Sequence, residues 1–91
     1  MMYKLFLPDT YLKKEKSFIK KHPDLKEKYK KTLLLLKVNP YHPSLRLHKL
    51  QGTLKEYHSI SINLNYRIVL ELLITDKEII LLSVGKHSDV Y

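Results

Sequence analysis

The chain has 91 residues, no cysteine and a formal charge of +8. That length supports one core, expected as a single domain over residues 1–91; without cysteine there is no disulfide staple and no thiol to act as nucleophile or metal ligand. No apolar run approaches a membrane span, and the first eight residues lack a signal-peptide pattern, so a soluble protein of the cytoplasm is expected.

The charge is uneven. Residues 1–39 carry 11 lysines against 4 acids, whereas residues 40–91 carry 6 lysines or arginines against 5 acids. Such an excess suits a polyanionic partner, nucleic acid or an acidic protein. The alternative is that lysine-rich helices simply present solvated outer faces.

In chain order, Tyr3 to Leu7 reads as a short strand ended by Pro8. Asp9 or Thr10 can cap a helix, which buries Tyr11, Leu12, Phe18 and Ile19 between lysines. His22-Pro23 breaks it, since proline disfavours helix in the preceding residue. Asp24, with Glu27 three residues on, resembles a capping box and restarts the pattern. The second helix is expected to bury Leu25, Tyr29, Leu33 and Leu36, with Leu34, Leu35 and Val38 widening the stripe, until Asn39-Pro40. The very short link implies an antiparallel helix hairpin.

Pro40, Pro43 and Gly52 mark a loop region. Then Ile60, Ile62 and Leu64 alternate with Ser59, Ser61 and Asn63, the pattern of a strand with one apolar face. Leu64-Asn65 turns the chain into Tyr66–Ile74, apolar throughout except Arg67 and Glu71, as befits a central strand covered on both faces. Thr75-Asp76-Lys77 turns it again, and Glu78–Val84 is the last strand. Turns this short make antiparallel neighbours. The expected fold is α+β, in the order β-α-α-β-β-β, with the helix hairpin packed on one face of an antiparallel sheet. The other face is expected to be partly open and to carry Ser59, Ser61 and Arg67.

Five histidines, His22, His42, His48, His58 and His87, invite a metal reading, but none has ligand spacing, and no metal or other cofactor is expected. His22 reads as a surface residue of the helix–helix turn. The two glycines form no phosphate cradle, and no nucleophile elbow or carboxylate pair is present. What remains is a set of cations and proton carriers near strand ends: Arg46, His48 and Lys49 before the sheet, Arg67 on the central strand, and Lys86, His87 and Tyr91 after the last strand. Lys55 adds a cation between them. This set suits RNA cleavage by the neighbouring 2′-hydroxyl. Histidine serves as base or acid near neutral pH, arginine grips a phosphate with paired hydrogen bonds, and tyrosine stacks on a base or donates a proton. Each has a plainer alternative. His48 can brace its loop, Arg67 can pair with Glu71, and Tyr91 can plug the sheet edge.

The motifs Leu47-His48-Lys49-Leu50-Gln51-Gly52, Tyr66-Arg67-Ile68-Val69 and Ser83-Val84-Gly85-Lys86-His87-Ser88-Asp89-Val90-Tyr91, taken in this order, resemble the RelE/ParE superfamily of type II toxins. The loop and tail look most like the YafQ branch; the Arg67 and Ser83–Lys86 stretches look like RelE. The resemblance implies a ribosome-dependent mRNA endoribonuclease acting in the ribosomal A site, with a cognate antitoxin, the ribosome and mRNA as partners. It implies His48 as a loop histidine of the site, Arg67 at the scissile phosphate, His87 as general acid and Tyr91 as mRNA contact. Arg46, Lys49, Lys55 and Lys86 are the candidate RNA-binding cations. Four positions depart from the pattern: Ser61 stands where YafQ-like toxins carry a second histidine, Asn65 where they carry aspartate, Ser83 where an arginine is expected, and Ser59, together with Ser61, where RelE-like toxins carry lysines. Those departures keep two alternatives open: a ParE-like, non-nuclease toxin of DNA gyrase, and a decayed toxin that only binds its antitoxin.

Overall fold

The computed structural model describes residues 2–52 and 57–86. Its elements are β1 (Lys4–Phe6), α1 (Asp9–Lys21), α2 (Lys26–Val38), β2 (His48–Lys49), β3 (Tyr57–Ser61), β4 (Tyr66–Leu73) and β5 (Glu78–Lys86), with 3₁₀ turns at Pro23–Leu25 and Pro43–Leu45. The class is α+β, as read from the pattern. The sheet runs β1-β5-β4-β3-β2, so β4 is central, as its apolar run predicts.

Two features extend that reading. The two-residue β2 adds a strand inside the stretch read as loop. And β1 lies parallel to β5, pairing Lys4 with Glu78 and Phe6 with Ile80, so the sheet is mixed, with β2 to β5 antiparallel. Short turns fix the direction of consecutive strands. No short turn joins β1 to β5, so nothing local set theirs.

The helix starts are corrected. Neither Asp9 nor Thr10 caps α1; the cap position is Pro8, with no side-chain hydrogen bond, and Asp9 lies in the first helical turn. There its carboxylate meets the positive end of the helix dipole. Nor does Asp24 cap α2. It lies in the 3₁₀ turn, and the chain passes from that turn into α2 through Leu25, itself in helical conformation (φ −96°, ψ 0°). A capping box needs an extended cap residue, which this continuous winding denies it. His22-Pro23 does end α1, as expected.

The core joins Tyr11 and Phe18 of α1 and Tyr29 and Leu36 of α2 to Ile60, Ile68, Leu70, Leu72, Ile79 and Leu81 of the sheet. Each such aliphatic side chain contributes about 1.5–3 kcal/mol by leaving water. The α2 stripe is narrower than read. Leu25, Leu33 and Leu35 are half-buried, but Leu34 and Val38 are 63% and 54% exposed, and Thr32 is buried instead. Residues two apart on a helix point to opposite sides, so Leu36 inside puts Leu34 and Val38 outside.

A hydrogen-bonded chain ties the two helices. Tyr29 Oη donates to Glu15 Oε2 at 2.6 Å, and the Tyr11 and Tyr29 hydroxyls are 2.7 Å apart. The β3–β4 turn is held by Asn63 Oδ1, which accepts from the backbone N–H groups of Asn65 and Tyr66, both at 2.9 Å. The next turn places Lys77 in the left-handed region at φ 55°.

Candidate functional site

Cross-strand partners share a sheet face, so the register decides which candidates meet. His48 pairs with Ser59, Ser59 with Val69, and Val69 with Ser83. The next row on the same face is Ser61, Arg67 and Gly85. His48 and Arg67 therefore lie on the sheet face away from the helices, two strands across and one row along. The spacing of strands and residues puts their Cα atoms roughly 12 Å apart.

This face is less open than expected at its centre. Ser59 is fully buried, Ser61 is 8% exposed and Val69 is 7% exposed, outside the helix-side core. His48 at the rim is exposed, and Arg67 is half-buried with its Nη1 enclosed. Arg67 is thus anchored within the sheet rather than swinging from it. Ser61 Oγ donates to the carbonyl of Asn63 at 2.8 Å. That bond fastens strand to turn and commits the hydroxyl at the position where the resemblance leads one to look for a second histidine.

Of the other candidates, Lys49 and Lys86 do not share this face. Lys49 pairs with His58 and so points oppositely to its neighbour His48; it is exposed at the sheet edge. Arg46 is exposed and left-handed (φ 51°) at the end of the Pro43–Leu45 turn, whose start is held by His42 Nδ1 accepting from the Ser44 N–H at 3.2 Å. Lys86 pairs with Tyr66, on the helix side, while its neighbour Gly85 pairs with Arg67. His87, Tyr91 and Lys55 lie outside the described residues. Among the described residues no three histidine, aspartate or glutamate side chains cluster as metal ligands, and no helix is long and apolar enough to cross a membrane.

Sequence reasoning missed a second feature. His22 is not a plain surface residue: its ring is half-buried, 4.9 Å from the ring of Phe18 and 4.5 Å from that of Tyr66. These rings line a cleft of about 470 Å³ between α1 and the end of β5, together with Lys13, Lys21 and Lys86. The available signal was helical spacing, since Lys14, Phe18 and Lys21 share one stripe of α1. What hid it is that Tyr66 and Lys86 come from strands far along the chain.

The sequence matches no family model, and no curated protein matches it significantly. Solved structures do match. The E. coli DinJ–YafQ toxin–antitoxin complex contains a chain that is 24% identical, with a TM-score of 0.80, covering 100% of this chain and 99% of that one. A copper-bound variant toxin from Helicobacter pylori is 26% identical at a TM-score of 0.68, over 99% and 100% of the two chains. A conserved hypothetical protein from Helicobacter pylori is 29% identical at 0.66, again over 99% and 100%. The fold of this chain is that of the YafQ-type and Helicobacter pylori toxins, the one to which its loop and strand motifs pointed.

Proposed function

We propose that this chain is the toxin of a type II toxin–antitoxin pair, that it cuts mRNA on the ribosome, and that a cognate antitoxin holds it inactive. The observation that supports this best is the sharing of one sheet face by His48 and Arg67, in adjacent rows, within a fold common to toxins. The antitoxin partner is argued from DinJ–YafQ, which was solved as a toxin–antitoxin complex.

The chemistry follows from the side chains. His48, unprotonated, takes the proton of a ribose 2′-hydroxyl. The 2′-oxygen then attacks the adjacent phosphorus, and the bond to the 5′-oxygen breaks, leaving a 2′,3′-cyclic phosphate. Arg67 hydrogen-bonds the phosphate oxygens as charge builds on them; a half-buried guanidinium acts more strongly than one in open water. His87, protonated, supplies the proton to the departing 5′-oxygen, and Tyr91 stacks on a neighbouring base. Arg46, Lys49 and Lys55 hold flanking phosphates. The scheme calls on no cofactor, and it operates where ribosomes are, in the cytoplasm.

The test is cleavage of mRNA on translating ribosomes. The wild-type chain is expected to give cuts at fixed codon positions, and His87→Ala to lose them; intact mRNA with the wild-type chain would overturn the reading. One observation favours a second reading. Ser61, buried and hydrogen-bonded to Asn63, supplies no proton carrier where YafQ-like toxins are expected to have one. A toxin without cleavage would instead block gyrase supercoiling or, if decayed, bind its antitoxin without arresting growth.

A further inference from the structure

We infer that the cleft between α1 and the C-terminal half of β5 is a binding site for single-stranded RNA, distinct from the face that carries Arg67. The choice of RNA as the polyanion rests on the toxin reading; the cleft's geometry does not.

The cleft exists because β1 stops early. β1 pairs with only Glu78 to Ile80, so beyond Ile80 that side of β5 has no neighbouring strand among the described residues. The register slips by one between Val69 and Leu70, which leaves Leu82 opposite no residue of β4, as a bulge. Lys14 Nζ donates to the Leu82 carbonyl at 3.2 Å and fixes α1 beside the uncovered strand. Bulges re-aim the residues that follow them, and here those residues form one wall of the cleft.

The lining has the two properties that single-stranded nucleic-acid sites combine, a cationic groove and aromatic faces. Lys13, Lys21 and Lys86 are exposed around it, and no aspartate or glutamate lines it among the described residues. Phe18 is buried beneath, with its ring edge-on to Tyr66 at 5.4 Å and tilted to His22 at 4.9 Å. Tyr66 and His22, packed ring to ring at 4.5 Å and both half-buried, present the surface on which a base can stack. A ligand held by its charge alone would satisfy the lysines and make no use of these rings.

Position adds a reason. Tyr66 and Arg67 are neighbours on β4 and point to opposite faces, as do Lys86 and Gly85 on β5. An RNA strand crossing this end of the sheet meets Arg67 on one face and the aromatic cleft on the other. The cleft would then hold a nucleotide flanking the scissile pair.

The experiment measures binding of a labelled 2′-O-methyl RNA of about ten nucleotides, which carries no nucleophile and is not cut, by fluorescence anisotropy without ribosomes. Lys13→Glu with Lys21→Glu is expected to weaken binding at least tenfold, and the charge-matched pair Lys28→Glu with Lys31→Glu on α2 at most about threefold. An abasic strand of equal charge is expected to bind about tenfold more weakly than the RNA, through lost stacking. Equal losses in the two double variants would overturn the site. So would an oligo-glutamate of equal charge that binds as tightly as the RNA. Cleft binding with no ribosomal cleavage removes the nuclease reading and leaves this one; cleavage with no cleft binding does the reverse.

Discussion

Tyr29 has one hydroxyl proton and gives it to Glu15, so Tyr11 must donate to Tyr29 in turn. Burial holds the hydroxyls of both tyrosines well above the ordinary tyrosine pKa, and in Tyr29 its neighbours Tyr11 and Glu15 add to the effect. The folded protein therefore keeps these protons to higher pH than the unfolded chain. The stability this provides is complete below the unfolded tyrosine pKa of about 10 and is lost as pH rises above it. Urea midpoints at rising alkaline pH are expected to fall for the wild-type chain, and to fall less steeply for Tyr29→Phe. At neutral pH the same variant is expected to lose about 1–3 kcal/mol, the scale of a hydrogen bond to a charged group. At the proposed site, Arg67→Lys keeps the charge and loses the paired donors. Cleavage on ribosomes is expected to drop about 10–100-fold while the melting temperature stays within a few degrees, because lysine keeps the charge and most of the aliphatic stem in the strand and loses chiefly the forked donors that meet the phosphate in the transition state. Residue identity at Ser61 was legible as a missing histidine. Its hydrogen bond to Asn63 was not, because that bond depends on how strand and turn fold back on one another.

Among elements, α2 shows where periodicity misleads. Four consecutive leucines, Leu33 to Leu36, read as a broad apolar stripe, yet a helix can bury only one side against a sheet, and Leu36 takes that side. Leu34→Lys is expected to change stability by no more than about 0.5 kcal/mol, whereas Leu36→Ala should cost about 2–5 kcal/mol, both read from urea unfolding. The β2–β3 hairpin makes a second case. The Leu50 N–H donates to the Tyr57 carbonyl at 2.9 Å, and Gly52 adopts φ +78° with no atom of the described residues within 4 Å of the Cβ it lacks. Gly52→Ala therefore meets backbone strain alone and should cost about 1–2 kcal/mol. Gly52→Asn should cost less, because asparagine tolerates the left-handed region. A Gly52→Ala as stable as wild type would mean that the turn re-forms without that conformation.

For the whole molecule, the +8 charge is held chiefly by the helices, at +7 over residues 1–39. Lysines that neutralise phosphates release counterions, so RNA binding should be steeply salt-dependent. For about four phosphates on a single strand, affinity is expected to fall about fifty-fold between about 50 and about 200 mM salt, measured by anisotropy. A flat salt response would mean that the lysines are only a solvated face. The sequence by itself determined the helix hairpin, the break at His22-Pro23, the central place of Tyr66–Leu73 and the α+β class. Those follow from local periodicity and from turns too short to allow anything but antiparallel neighbours. Only the tertiary structure decided that β1 joins β5 in parallel, that His48 and Arg67 share a face which Lys49 and Lys86 do not, and that Phe18, His22 and Tyr66 meet in a cleft. Strand register, one bulged residue and the crossing of helix over sheet set those relations. Each is fixed by packing between segments distant in sequence, where a one-residue slip turns every side chain to the other face.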